Sequence, residues 1–242
     1  DFGVGSVEQN IIRMAVPMTV AQILNLLYNL VDRMYIGHIP GASSLALTGV
    51  GITFPIISMI TAFANLFGMG GAPLCSMARG RRDYDAAKRY MQNAFWMLFA
   101  AGVVLTVTGY VIEKPLLYAL GASSVTYPYA SSYLRIYLLG NMFVMVGIGM
   151  NPFINAQGFG TMGMVTVGLG ALVNIILDPL FIFVFHMGVE GAAIATIIAQ
   201  FLSALWVLFF LTGEKPDLRL KICWRKPEFT VVKEIVSLGL SN

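Results

Sequence analysis

Six apolar stretches, each about as long as a bilayer is thick, leave this chain almost no sequence from which to build a water-facing surface. They run at roughly 10–37, 44–72, 91–113, 128–157, 163–186 and 191–213, and about 20 consecutive apolar residues are enough for a helix to cross hydrocarbon. Inside a membrane no water satisfies backbone N–H and C=O groups, so segments of this length span as helices. The expectation is an all-α membrane protein, a bundle of six transmembrane helices. Composition points the same way: 57% of residues are hydrophobic and 11% charged, with a mean hydropathy of +0.77, whereas a soluble domain is about 25% charged.

Charge placement orders the spans. Arg79, Arg81, Arg82, Lys88 and Arg89 cluster in the second connector, and Lys215, Arg219, Lys221, Arg225 and Lys226 in the tail, while the opposite connectors offer little beyond Lys114. By the positive-inside rule both ends are cytoplasmic, and the net charge of +3 reflects topology rather than a nucleic-acid partner. Around Tyr84, Ala87 and Tyr90 the second connector reads as a short amphipathic interfacial helix against lipid headgroups. Residues 1–213 are expected to form one six-helix lobe and 214–230, with two prolines and alternating charge, a cytoplasmic linker. Residues 231–242 start a seventh helix: EIVSLGLSN can be laid over NIIRMAVPM near the start, as in a transporter built from two parallel halves. The two cysteines, Cys75 and Cys223, are too few for a disulfide framework. The start DFGVGSVEQN lacks an initiator Met and a basic leader, so no cleavable signal peptide is expected and the first helix does the targeting.

Two spans carry a carboxylate: Asp32 in LYNLVDRMYIG and Asp178 in VNIILDPLFIF. An Asp at a helix centre costs about 2.5–3.5 kcal/mol on insertion scales, which makes such a residue a functional candidate by default. Asp32 continues a polar stripe of Thr19, Gln22 and Asn25 or Asn29 on one face of the first helix. Near its inner end Pro17 cannot donate to the carbonyl of Arg13, which permits a bend. Asn174 and Asp178 are four apart and share a face, and Pro179 frees the carbonyl of Ile175 beside them. Further stripes, Ser58, Thr61 and Asn65 in the second span and Thr196, Gln200 and Ser203 in the sixth, read most simply as interhelical hydrogen-bonding contacts. With odd-numbered helices running outward, Asp32, Asp178 and Thr196 fall at one depth in the outer half of the bilayer. Two buried carboxylates at close range cannot both be charged, so the site should hold a proton or a cation. Arg33, one residue from Asp32, points about 100° away and is read as snorkelling to the interface.

YNLVDRMYIG, GRRDYDAAKR, NIILDPLFIF and GVEGAAIAT together resemble the multidrug and toxic compound extrusion (MATE) transporters, in the branch that includes prokaryotic drug exporters. The resemblance covers essentially the whole chain as an N-terminal lobe. It implies one lobe of a twelve-helix, two-lobed transporter of the prokaryotic cytoplasmic membrane, with the C-terminal lobe in a longer parent chain. It also implies export of small organic cations in exchange for H+ or Na+, a non-enzymatic function with no cofactor beyond the coupling ion. Carried over by residue, the cation-coupling site is Asp32, Asn174, Asp178 and Thr196, which would also be the ligands of Na+. Asn151, with Asn155 as competitor, stands for the asparagine of the fourth helix, and Pro17 for the proline of the helix bend. Aromatic and Met side chains at Tyr28, Tyr35, Tyr133, Tyr137, Met142 and Met145 would suit flat apolar cations.

Three other functions fit the residues less well. A flippase for lipid-linked sugars, of the same superfamily, would carry a cationic cavity, for which the outer spans supply only Arg33 and Arg135. An intramembrane enzyme would need a nucleophile or metal cluster, yet His38 and His186 stand alone and no HExxH or Walker pattern occurs. A structural membrane subunit would leave the two carboxylates without a purpose. Whether H+ or Na+ is the coupling ion is open at this level, since a carboxylate among amide and hydroxyl oxygens suits either.

Overall fold

The structure, a computed structural model, describes residues 7–39, 43–220 and 228–241. Its elements are α1 (Val7–Ile36), α2 (Ser43–Gly80), α3 (Tyr84–Ala119), α4 (Tyr127–Leu139), α5 (Asn141–Ala156), α6 (Gly160–Pro179), α7 (Gly188–Thr212) and α8 (Phe229–Gly239). A π-helical turn, Leu180–Val184, prolongs α6. No strand occurs among the described residues.

Four of these, α2, α3, α6 with its π turn, and α7, are long and apolar enough to cross a membrane, and α4 with α5 makes a fifth if the bent pair is one span. The remaining expected span is α1. Its 30 residues reach about 45 Å, but Gln22, Asn25, Asn29 and Asp32 lower its hydropathy, so composition alone does not mark it. The usual inside-out logic of a soluble protein is relaxed on the periphery: Val104, Val107 and Val111 of α3 are 60%, 58% and 75% exposed, a stripe at helical spacing suited to lipid.

The span read as continuous over 128–157 is broken, with α4 and α5 meeting at 59°. At the break the Ile197 side chain of α7 occupies the space a Cβ on Gly140 would need, 2.5 Å away. The next residue, Asn141, is fully buried and donates through Nδ2 to the Gly102 carbonyl at 3.0 Å and to Thr106 Oγ1 at 3.1 Å. The bend is thereby pinned to α7 on one side and α3 on the other.

α2 is the central helix, packed on α3, α4, α5 and α8, whereas α1 leans almost entirely on α6. No separate interfacial helix follows α2. Asp83 caps α3 by accepting from the Ala86 N–H at 2.9 Å, so Tyr84, Ala87 and Tyr90 form its first turns and Ala87 is buried against the lobe. A cap placed directly after a left-handed Arg82 (φ 61°) leaves no room for an independent element.

The described part of the linker is not a loose tether. Leu218 and Leu220 are buried, the Leu218 N–H donates to Gln157 Oε1 at 3.0 Å, the Leu220 N–H to the Leu211 carbonyl at 2.8 Å, and Arg79 pairs with Asp217. Beyond residues 221–227, which lie outside the described residues together with Cys223, α8 returns to the bundle. Tyr90 donates to Glu234, and the Glu228 N–H to Asn93 Oδ1 at 3.1 Å. Farther along, a Cβ on Gly70 would collide with the Ile235 carbonyl and one on Gly239 with the Leu66 carbonyl. Small residues at such a crossing let two membrane helices approach backbone to backbone.

That crossing yields a testable consequence. Gly70→Val should overpack the α2–α8 contact and cost about 1–3 kcal/mol, read as a lower melting temperature in detergent. Gly51→Val on the same helix, where nothing lies within 4 Å of the added Cβ, should leave it nearly unchanged.

Candidate functional site

The two intramembrane carboxylates meet. Asp32 sits four residues before the end of α1, Asp178 in the last turn of α6, and their carboxyl groups lie within hydrogen-bonding reach of each other. Asp178 is fully buried. Asn174, one turn earlier and 1% exposed, donates through Nδ2 to Asp178 Oδ1 at 3.2 Å and to Thr196 Oγ1 of α7 at 3.3 Å. Tyr133 of α4 stands near Thr196 and stacks on Tyr137, ring centroids 6.2 Å apart. One polar cluster thus joins α1, α6, α7 and α4, at the end of the bundle opposite the basic turn Arg79–Arg82.

Local sequence explains why α6 delivers Asp178 here. Pro179 has no N–H for the carbonyl of Ile175, so the helix cannot continue unchanged. It widens instead, with the Phe185 N–H reaching the Leu180 carbonyl at 2.9 Å, and such π turns often mark functional positions. The cluster also holds an unusual number of oxygens with nothing to bond. Asp32 Oδ1, Asp178 Oδ2 and Asn174 Oδ1 are buried without a hydrogen-bond partner among the described residues, and buried polar atoms in that condition call for an unseen proton, water or ion.

A cavity of about 690 Å³ opens beneath the cluster between α1, α2, α5, α6 and α7. Asn174 and Thr196 form its upper end, and Gln22, Asn25, Thr61, Asn65, Gln200 and Ser203 line its walls. The polar stripes are therefore cavity surface as well as interhelical contact: Ser203 Oγ still donates to the Thr166 carbonyl at 3.1 Å. Thr19 and Ser58, assigned to the same stripes, are exposed elsewhere. Among the described residues no Asp, Glu, Lys or Arg lines the cavity. The carboxyl pair stands behind Asn174 and Thr196 rather than in the wall.

The structure does not bring Asn151 to this cluster. It lines the cavity but donates to the Gly163 carbonyl at 3.4 Å, and Gly163 precedes Asn174 by 11 residues, roughly 16 Å along α6. Asn155 lies still nearer the basic end. Of the six aromatic and Met candidates only Tyr28 reaches the cavity. Tyr133, Tyr137 and Met145 are buried in the lobe, and Tyr35 packs edge-on against Phe183. Pro17 lies within α1, which runs unbroken through it. Arg33 is exposed, its guanidinium 4.1 Å from the centre of the Phe54 ring. Sequence reasoning missed Tyr133 as a partner of Thr196, because nothing local links a tyrosine on the fourth span to a threonine on the sixth.

Comparison with known proteins sets this geometry in a family. The MatE family pattern matches residues 17–180. Multidrug export protein MepA of Staphylococcus haemolyticus is 27% identical over 239 residues, 99% of this chain and 52% of that protein. A crystal structure of MATE in complex with MaD3S superposes with a TM-score of 0.90 at 26% identity, over 98% of this chain and 53% of the other. A MOP superfamily transporter from Pyrococcus furiosus, whose binding pocket is described as reversed in polarity, superposes at 0.88 with 28% identity, covering 98% and 52%. The chain spans about half the length of the curated relatives it matches. With a MatE match over more than half its residues and this bundle of apolar helices, the chain belongs to the MatE family of membrane transporters.

Proposed function

We propose that this lobe is half of a secondary transporter of the prokaryotic cytoplasmic membrane, exporting organic cations in exchange for H+ or Na+. Its basic end faces the cytoplasm, and a second lobe completes the central cleft. The observation that carries the reading is the carboxyl pair Asp32 and Asp178, in mutual contact directly behind a cavity whose described walls carry no charge, with Asp178 fully buried and Asp32 half-buried.

Two carboxylates in contact repel strongly in a low dielectric, so the pair takes up a proton or a cation whenever none of the substrate's charge is at hand. Neutralised, it no longer attracts a cationic substrate, which leaves. Discharged of its ion toward the cytoplasm, it regains its attraction. Asn174 and Thr196 transmit the change, because each faces the cavity and belongs to the hydrogen-bonded cluster. Asn174 can serve either ion: it donates to Asp178 through Nδ2, and turned over it would present Oδ1 to Na+ beside the carboxylates and Thr196 Oγ1.

The relatives' names support multidrug export, and the polarity of the site supports a cationic rather than an anionic substrate. A lipid-pyrophosphate flippase would need free cations, but Arg33 is stacked on Phe54. Arg135 is held by Glu113, Nε to Oε2 at 2.8 Å, with Ser131 on the other carboxylate oxygen.

In inverted vesicles carrying the complete two-lobed transporter, adding ethidium should collapse an imposed proton or sodium gradient, and the gradient that responds names the coupling ion. Asp178→Asn should abolish the collapse; an unimpaired mutant would remove the pair from the mechanism, and a wild type indifferent to every cation would overturn antiport itself. A double-mutant cycle between Asn174→Ala and Thr196→Val should return a coupling of about 0.6 kcal/mol in thermal stability, as for other interhelical hydrogen bonds in membranes. The same cycle between Asn174→Ala and Ser44→Ala, on the exposed first turn of α2, should return none.

A further inference from the structure

Below the main cavity a smaller annex of about 80 Å³ lies between α1, α5 and α6, toward the basic end. Asn151 and Asn155 of α5 and Gln22 and Asn25 of α1 contribute its polar surface, Ala21 and Met164 part of its apolar surface. It reaches almost to the end of the lobe, since Asn155 is the penultimate residue of α5 and Gly160, another of its walls, the first of α6.

Two features set it apart from a packing defect. Asn151 Oδ1 and Asn155 Oδ1 are both buried with no hydrogen-bond partner among the described residues, and an empty apolar void would not be lined by orphaned carbonyl oxygens. The Asn155 amide is also held there by a fitted surface. Its Oδ1 lies where a Cβ on Gly163 would stand, so only glycine at that position lets the amide turn into the α5–α6 crossing. The space has room for about two waters, each of which needs two to four polar partners, and four amides surround it.

The annex also continues a line of amides. From Asp32 the face of α1 descends through Asn29, whose Nδ2 donates to Asn25 Oδ1 at 2.8 Å, to Asn25 and then Gln22. We propose that the annex is a hydration site whose two waters, with the amide oxygens of Asn151 and Asn155, carry the coupling ion between the carboxyl pair and the cytoplasmic end. Occupancy by water stands on the geometry alone, whereas passage of the ion rests on the antiport reading. Amides suit this step: their carbonyl oxygens solvate a sodium ion or a hydronium without binding it as a carboxylate would, so the ion moves on.

Two experiments separate the parts. Millisecond X-ray radiolysis of the complete transporter in nanodiscs oxidises side chains beside bound water. Met164 should be labelled well above Met150, which is fully buried and outside the annex. Ala21→Leu, at a position that lines the annex and not the main cavity, should suppress the Met164 label several-fold. A Met164 label no greater than that of Met150 overturns the hydration site. In the vesicle assay Ala21→Leu and Gly163→Ala should each slow ethidium-triggered gradient collapse several-fold. Collapse at the wild-type rate in both variants overturns the passage role. A wild type that shows no collapse while Met164 is labelled overturns antiport and leaves the hydration site standing.

Discussion

Hydrocarbon offers no hydrogen bonds, and from that single lack the arrangement of this lobe follows. Every amide and carboxyl that a span carries must turn toward another span or toward water held inside the protein. α1 carries the densest set, from Gln22 to Asp32, and its partner is α6, the helix with Asn174 and Asp178. Leu26 and Leu30 on the other side of α1 are 71% and 57% exposed, as suits lipid or a second lobe. The polar face is where α1 has a defined mate, and that mate places Asp32 against Asp178.

The same scarcity explains which parts could be read from the sequence. A carboxylate in an apolar run is so costly that Asp32 and Asp178 stood out unaided, and the four-residue spacing of Asn174 and Asp178 fixed their common face. Thr196 followed from counting residues along antiparallel spans from a common surface. Asn151 rested on the resemblance alone: counting along the span sets it closer to the inner end than the two aspartates, and the structure keeps it there, beside Gly163. α4 and α5 bend by 59° around the contact of Gly140 with Ile197, two residues 57 positions apart whose proximity no local pattern records. The connector failed for a related reason. Its basic and aromatic residues have the periodicity of an interfacial helix, but the Asp83 cap makes them the start of α3, and capping decides an element's boundary more than amphipathicity does.

At the basic end charge has a different task. Arg79 holds the Asp217 carboxylate and also reaches the Ala156 carbonyl at 3.4 Å, while Arg89 lies 3.8 Å from Glu228. Such exposed pairs contribute little individually to stability, but they tie the helix ends to the linker and to α8. The close backbone crossing of Gly70 and Gly239 adds a contact that cannot slide without a clash. α8 is thus packed as part of the α2 side of the lobe.

What distinguishes the site from a simple anionic pocket is the separation of its charge from its cavity. A carboxylate in the wall would hold any organic cation whatever the ion gradient, and tight binding without release is not transport. Here the polar part of the wall is made of amides and hydroxyls, adaptable donors and acceptors that favour no single substrate, and the charge lies one hydrogen bond behind them. On the proposed reading the coupling ion therefore need not compete with the substrate for the same atoms. It removes the negative field in the cavity from a place the substrate does not occupy, and Asn174, bonded to Asp178 on one side and Thr196 on the other, is the physical link between the two. A ligand shifts a two-state protein only by its difference in affinity for the two states, and a carboxyl pair that one ion can neutralise supplies such a difference for every cation alike.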